Sequence, residues 1–181
     1  KQLQTFSSSN TGTFNVSIRK RKGVVHYLVA EGGQIEGSPA KHLAMLTVLG
    51  GRESNSVVIN ELTTVGSVWP NAQLLQKTSL LGSRSALLIG SSQVQNLVNQ
   101  SSGRHGRILL NSSNLLNSET AIRMNVLSNL ISLCGKSSHR KGCNQLLSLT
   151  NSDDTLSAMI SIARQPWKNV AGLYDLFKSH Y

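Results

Sequence analysis

The chain has 181 residues, a formal net charge of +10, and 18 lysines and arginines against 8 acidic residues. Its length fits one domain with a hydrophobic core, and a content of 39% hydrophobic residues excludes a chain that is disordered throughout. No apolar run approaches the roughly 18 residues that a membrane-spanning helix needs. No apolar signal core follows Lys1 either, so we expect an intracellular, reducing location in the cytoplasm, the nucleus or a virion.

The N-terminal residues predict an arm followed by a β-hairpin. Residues 1–12 are polar and serine-rich, which is typical of a flexible arm, and residues 13–181 are expected to form a single domain. Residues 14–18 and 25–29 each alternate in the period of a strand. The two runs flank Arg19–Lys22, so the sequence predicts a hairpin whose tip carries four positive charges.

The middle of the chain predicts one buried helix and several short strands. Ser38 and Pro39 indicate a helix start, because a capping hydroxyl precedes a proline at the first helical position. Residues 40–49 are almost entirely apolar, so this helix should be buried on most sides. The further predicted elements are strands at 57–59, 63–69, 86–89 and 108–110, and a short helix at 71–81.

The last third of the chain predicts helices. Residues 122–131 have helical spacing after a cap at Asn117 or Ser118, and residues 156–163 repeat the pattern until Pro166. Residues 170–177 form the last predicted helix. Together these elements predict an α+β fold: an N-terminal antiparallel hairpin or sheet with a buried helix in the strand-rich part (13–110), and a C-terminal helical layer (114–178).

Positive charge is concentrated in three loops at predicted element ends. Glycine and serine neighbours let backbone N–H groups approach an anion, and arginine can bind phosphate through two parallel hydrogen bonds. If the loops share a face, they predict a groove for a phosphate backbone. The first basic cluster is Arg19, Lys20, Arg21 and Lys22; the second is Arg104, His105 and Arg107; the third is Lys136, His139, Arg140 and Lys141.

Two cysteines are too few to predict a disulfide framework, and we expect reduced thiols. Cys134, His139 and Cys143 are a weak candidate for zinc, because a structural zinc site needs four ligands and the sequence offers no preceding pair of cysteines. The simpler interpretation is that both cysteines are small apolar side chains. We therefore expect no metal and no cofactor.

Catalysis is not expected. The sequence has no nucleophile elbow, phosphate-binding loop, dinucleotide fingerprint or paired-histidine zinc motif, and its carboxylates are few and scattered. His42, within an apolar stretch, is more simply a core histidine. No small-molecule substrate is evident.

The composition favours a non-enzymatic, basic nucleic-acid-binding structural protein that coats or packages RNA, of the viral nucleocapsid or matrix type, and that self-associates. One alternative is a peripheral matrix-type protein that binds an anionic membrane surface. Another is a small RNA-processing enzyme or accessory factor. Because aromatic residues are only 4% of the chain, binding to the nucleic-acid backbone is favoured over reading of bases.

Overall fold

Helices and small antiparallel sheets make up an α+β fold, with 46% of the described residues helical and 15% in strands. A computed structural model describes residues 4–18, 23–50, 55–111 and 118–181. The first basic cluster, Arg19–Lys22, lies outside the described residues. No helix within these ranges is both long enough and apolar enough to cross a lipid bilayer.

Eight short strands pair in four two-stranded antiparallel sheets, and six α-helices surround them, within the described ranges. The strands are β1 (His26–Glu31), β2 (Gln34–Ile35), β3 (Ser38–Pro39), β4 (Ala44–Gly50), β5 (Leu75–Gln76), β6 (Ser79–Leu80), β7 (Val98–Asn99) and β8 (Arg104–His105). The helices are α1 (Glu61–Asn71), α2 (Arg84–Leu97), α3 (Glu119–Ser132), α4 (Arg140–Thr150), α5 (Thr155–Arg164) and α6 (Val170–Lys178). Two 3-10 turns, Leu133–Gly135 and Ser137–His139, connect α3 to α4.

Strand β4 is the centre of the fold. One of its edges pairs with β1, with Val29 opposite Leu46 and Glu31 opposite Ala44. The other edge is bonded to helix side chains instead of a third strand. Three alternate N–H groups donate to hydroxyl oxygens: Ala44 N to Thr155 Oγ1 at 2.9 Å, Leu46 N to Thr64 Oγ1 at 3.1 Å, and Val48 N to Ser67 Oγ at 3.0 Å. Helices α1 and α5 thus cover an edge that would otherwise be open.

The predicted buried helix at 40–49 is wrong, because this stretch is β4. A continuous apolar run does not distinguish a buried helix from a strand that is buried on both faces. Leu46 and Val48 are fully buried, and both edges of the strand have hydrogen-bond partners. The proline at 39 belongs to β3, where the register pairs it with Gln34, and it starts no helix.

The predicted pairing of 14–18 with 25–29 is also wrong. The second run does form a strand, β1, but its partner is β4, about 20 residues further along the chain. Residues 14–18 belong to no helix or strand. The physical reason is burial: β4 offers a fully apolar face to the core, whereas Asn15 and Ser17 are exposed.

Five further elements were predicted wrongly in the middle of the chain, among them the strand at 57–59, since these residues belong to no helix or strand. Residues 63–69 lie in α1, residues 86–89 lie in α2, and residues 71–81 contain the β5–β6 hairpin. In α1 a capping box overrides the β-branched composition: Asn60 Oδ1 accepts from Thr63 N, and Thr63 Oγ1 accepts from Asn60 N. Residues 108–110, predicted as a strand, form turns.

The C-terminal helices are confirmed. Helix α3 begins after Ser118, whose hydroxyl accepts from Ala121 N, and α5 begins after Asp154 with a capping box to Ser157. The helices pack into one hydrophobic cluster with β4 and α1. Its largest fully buried side chains in this region are Leu130, Ile131, Leu133, Leu146, Leu156 and Leu176.

Candidate anion-binding surface

The third basic cluster lies on a loop that a disulfide bond closes. Cys134 and Cys143, nine residues apart, are joined to each other, in contrast to the reduced thiols expected from the sequence. In this state neither sulfur is a thiolate that could bind zinc. Across the described ranges, no group of three or more histidine, cysteine or acidic side chains is arranged to hold a metal ion. The loop therefore presents its positive side chains on a covalently closed frame.

Beside this loop is a small basic pocket of about 70 Å³. Lys136 and Arg140 line it from the loop, and Lys41 and His42 line it from the segment before β4. Nearly a hundred residues separate these two pairs in the sequence, so their convergence is a property of the fold. We call Lys41, Lys136 and Arg140 the pocket cations; each is exposed.

The surroundings of the pocket are mostly neutral. His42 is exposed rather than a core histidine, and its Nδ1 lies 2.8 Å from the carbonyl oxygen of Asp153. The nearby carboxylate of Glu36, in the turn between β2 and β3, accepts a hydrogen bond from the Ser137 hydroxyl. Ser137 also lines the pocket. A hydroxyl donor adds no positive charge, so Glu36 remains an acidic group near the pocket, but it forms no ion pair with the pocket cations within the described ranges.

The other two members of the third cluster, His139 and Lys141, do not line the pocket. His139 packs edge-on against His180, with ring centroids 5.3 Å apart, and its Nδ1 is buried without a hydrogen-bond partner. His180 in turn lies against Gly142 of α4. Lys141 is exposed and does not line the pocket. The third cluster therefore divides into two residues that line the pocket, Lys136 and Arg140, and two that do not, the packed His139 and the exposed Lys141.

The second basic cluster lies on the β7–β8 hairpin and the turn after it. Gly103 closes the hairpin at a φ of +69°, and Asn60 Nδ2 donates to its carbonyl oxygen at 2.9 Å. His105 Nε2 lies 2.9 Å from Asn125 Oδ1, which ties the hairpin to α3. Arg104 and Arg107 are exposed. The two arginines are free to bind an anion, whereas His105 mainly positions the hairpin.

A cleft of about 1440 Å³ separates the N-terminal residues from β1. Arg107 of the second basic cluster lines it, and so do Ile18 and Val24, which bracket the first basic cluster in the sequence. Next to Val24, the guanidinium group of Arg84 occupies the space where a Cβ atom at Gly23 would lie. Arg84 therefore adds a positive charge beside this cleft that the sequence pattern does not reveal.

Positive charge on the described surface is almost uncompensated. Within the described ranges one ion pair occurs, between Glu119 and Arg123 on α3, and both side chains are exposed. Arg164 instead donates to the carbonyl oxygens of Ala72 and Leu75. The pocket cations and the arginines of the second cluster have no carboxylate at ion-pair distance in the part of the chain that the structure describes. Such charges are available to an external anion.

The structure brings the pocket cations together but does not merge them with the second cluster. No residue that lines the pocket also lines the cleft. Arg107 and the pocket cations therefore line different cavities, and the predicted groove of three loops stays a prediction, since the first basic cluster lies outside the described residues. Lys41 and Arg84 were missed because each stands alone in the sequence and gains a basic neighbourhood only through folding.

An exposed aromatic stripe at α6 was also missed. Trp167, in the turn before α6, is 76% exposed, and Val170 and Tyr174, on the helix, are 53% and 57% exposed. The Lys178 ammonium group lies 5.5 Å from the centroid of the Tyr174 ring. Leu173 and Leu176 take the buried face. No helical spacing signals this pair, because Trp167 precedes the helix and Asn169, between the two residues, has a φ of +55°.

Comparison of the chain with protein-family models, curated proteins and solved structures gives no match. The chemistry of the pocket, the cleft and the stripe is therefore the basis for assigning a function.

Proposed function

We propose that the protein binds the phosphate backbone of RNA as a non-enzymatic coating or packaging protein of the viral nucleocapsid or matrix type, and that it self-associates. The observation that carries this proposal is the convergence of Lys41, Lys136 and Arg140 on one pocket without an ion-paired carboxylate. Its place of action is proposed to be inside the cell or in a virion, where RNA is encountered.

The pocket has the chemistry that phosphate requires. Arginine offers a planar fork of N–H donors, and lysine adds a compact point charge. The cations supply these donors, because the Ser137 hydroxyl in the same lining already donates its proton to Glu36. Because the three cations are exposed, they can meet a polymer backbone that passes over the surface, as well as a free phosphate group.

The aromatic stripe favours single-stranded RNA over duplex RNA as the ligand. Bases that are not paired can stack on exposed rings, and this stacking tolerates any sequence. Lys168 and Lys178 flank the rings of Trp167 and Tyr174 and can contact phosphates on either side. Sequence-independent binding is what a coating protein needs.

The same stripe supports a second candidate function, binding to an anionic membrane surface as a peripheral matrix-type protein. Tryptophan and tyrosine are enriched where a protein meets lipid headgroups, and lysines beside them attract anionic lipid. RNA is preferred because the pocket cations form a concave site of phosphate size, which a flat membrane surface does not require.

The test compares two variants that lose the same charge. Lys136→Ala/Arg140→Ala removes two pocket cations, and Lys77→Ala/Arg123→Ala removes two exposed cations elsewhere. Binding to single-stranded RNA, duplex RNA and anionic vesicles is measured across a salt series. For the pocket variant we expect weaker RNA binding. We also expect the slope of the logarithm of the binding constant against the logarithm of the salt concentration to become less negative by about 0.7 for each phosphate that the variant no longer neutralises. The control variant should keep the wild-type slope.

The outcomes separate the candidates. Equal effects of the two variants on RNA binding would show that the pocket is no special site. Wild-type binding to vesicles without binding to RNA would favour the membrane function. A further variant with Arg19, Lys20, Arg21 and Lys22 changed to alanine tests the first basic cluster, and we expect it to weaken binding uniformly across RNA sequences.

A further inference from the structure

Strand β1 has one edge without a partner among the described residues. In β4, the N–H groups of Ala44, Leu46 and Val48 point away from β1. Backbone groups alternate in direction along an antiparallel strand, so Met45 and Thr47 are the residues that form hydrogen bonds with β1. Their register partners are Ala30 and Leu28. The backbone groups of Tyr27, Val29 and Glu31 therefore point away from β4.

This edge differs sharply from that of β4. The outer edge of β4 is covered by hydroxyl groups from α1 and α5, whereas the outer edge of β1 faces the 1440 Å³ cleft. Tyr27 and Val29 are only half-buried. An apolar strand edge with free N–H and C=O groups is a template for another strand.

The chain also contains a strand-like segment without a partner. In residues 14–18, which we call the donor segment, Phe14, Val16 and Ile18 are half-buried, and Asn15 and Ser17 are exposed. This two-residue period is that of a strand with one buried face. The donor segment makes no backbone hydrogen bond within the described ranges. Its five residues nearly match the six of β1.

Within a single chain these two halves do not pair. The donor segment lines the cleft on one side, β1 lines it on the other, and no ladder joins them. We propose that the donor segment of a second copy of this chain adds as a strand to the free edge of β1. The backbone hydrogen bonds supply affinity, and the alternating apolar side chains set the register.

The inference rests on the self-association included in the proposed function and gives it a structural basis. Each copy carries one donor segment and one acceptor edge. Mutual exchange between two copies gives a closed dimer, and head-to-tail addition gives a growing chain of copies. Both modes use the same contact, so the same variants test them.

Two variants disable one half each, and a third is a matched control. Val16→Asp places a charge on the apolar face of the donor segment, and Ser17→Asp places the same charge on its exposed face. Val29→Pro removes an outward N–H group and leaves the ladder to β4 intact, because proline is tolerated at edge positions whose N–H is unpaired. Glu31→Pro, at the exposed end of β1, is a milder alternative if Val29→Pro loses its fold.

Sedimentation velocity of the full chain over a range of concentrations, with and without RNA, gives the readout. We expect the wild type and Ser17→Asp to associate, and Val16→Asp and Val29→Pro each to lose association. An equimolar mixture of the two defective variants should form a heterodimer and nothing larger, because one supplies the acceptor edge and the other the donor segment.

Three results would overturn the inference: a wild type that stays monomeric under all conditions, equal loss of association in Val16→Asp and Ser17→Asp, or no heterodimer in the mixture. RNA binding of each variant is measured separately at low protein concentration. If the wild type binds RNA but does not associate, strand addition is rejected and the proposed RNA binding is kept. Association without RNA binding would reject the proposed RNA function and keep the contact.

Discussion

Thr155 Oγ1 accepts a hydrogen bond from Ala44 N at 2.9 Å and donates one to Ala44 O at 2.6 Å. The first residue of α5 thereby forms hydrogen bonds with both the N–H and the C=O group of the first residue of β4, although 111 residues separate them. Thr155 is fully buried, so no water can replace its hydroxyl.

Replacing Thr155 with valine should therefore lower the free energy of unfolding by about 3 kcal/mol, because it leaves a buried N–H and a buried C=O unpaired. Thr155→Ser, which keeps the hydroxyl, should cost about 1 kcal/mol for the missing methyl group. Urea unfolding of the two variants measures the difference. Equal stabilities would mean that the double hydrogen bond contributes nothing.

Gly66 of α1 gives a second prediction, since a Cβ there would lie 2.5 Å from Val98 Cγ1 on β7. Gly66→Ala should destabilise the protein by about 1–2 kcal/mol, because overpacking outweighs the gain of about 1 kcal/mol in helix propensity. Thermal unfolding provides the measurement. In the double variant with Val98→Ala the clash is relieved, so the two effects should not add; strict additivity would argue against direct contact.

Reduction of the disulfide gives the third prediction. The bond closes a loop with a sequence separation of nine residues, and removing it should cost about 3 kcal/mol through the entropy of the unfolded chain. Urea unfolding with and without a reductant measures this change. The variant Cys134→Ser/Cys143→Ser serves as the control, since its stability should be low and insensitive to reductant. A wild type that is equally stable in both conditions would contradict the prediction.

The aromatic stripe gives the fourth prediction. Trp167→Ala and Tyr174→Ala should each weaken binding to single-stranded RNA by about tenfold, the lower part of the range for a stacked base. The salt dependence should not change, because no charge is removed. Binding to duplex RNA should be unaffected. Titration with fluorescently labelled RNA measures both variants, and the intrinsic fluorescence of a Trp69→Phe background isolates the signal of Trp167 for Tyr174→Ala, since the chain has two tryptophans.

Ile122→Ala is the matched control for the stripe, because Ile122 is an exposed apolar residue on a different helix. Its RNA affinity should equal that of the wild type. If Trp167→Ala weakens duplex and single-stranded RNA equally, stacking is not its role. If it abolishes vesicle binding and leaves RNA binding intact, the stripe is a membrane contact.

Local patterns predicted the elements whose boundaries depend on local chemistry. The cap at Asn117 or Ser118 and the spacing of 122–131 and 156–163 were sufficient for α3 and α5, because caps and one-sided apolar patterns are properties of neighbouring residues. The identity of β4 was not predictable in this way. It depends on partners from β1, α1 and α5, and nothing in 40–49 itself records them.

In the candidate site, too, local patterns predicted some residues, and others depend on partners that are distant in the sequence. Lys136 and Arg140 were found because they adjoin other cations in the sequence, and they do line a basic pocket. Lys41 was not found, since its nearest basic partners lie across the fold. Trp167 and Tyr174 were not singled out, because an apolar helix pattern does not tell which apolar side chains remain in solvent.

The hydroxyl-bonded edge of β4 also restricts which length changes the chain can tolerate. Thr64 and Ser67 lie three residues apart on α1, and they reach two N–H groups that lie two residues apart on the strand. One residue inserted between them would turn Ser67 by about 100° around the helix axis and away from Val48. Insertions should therefore be excluded from this single turn of helix.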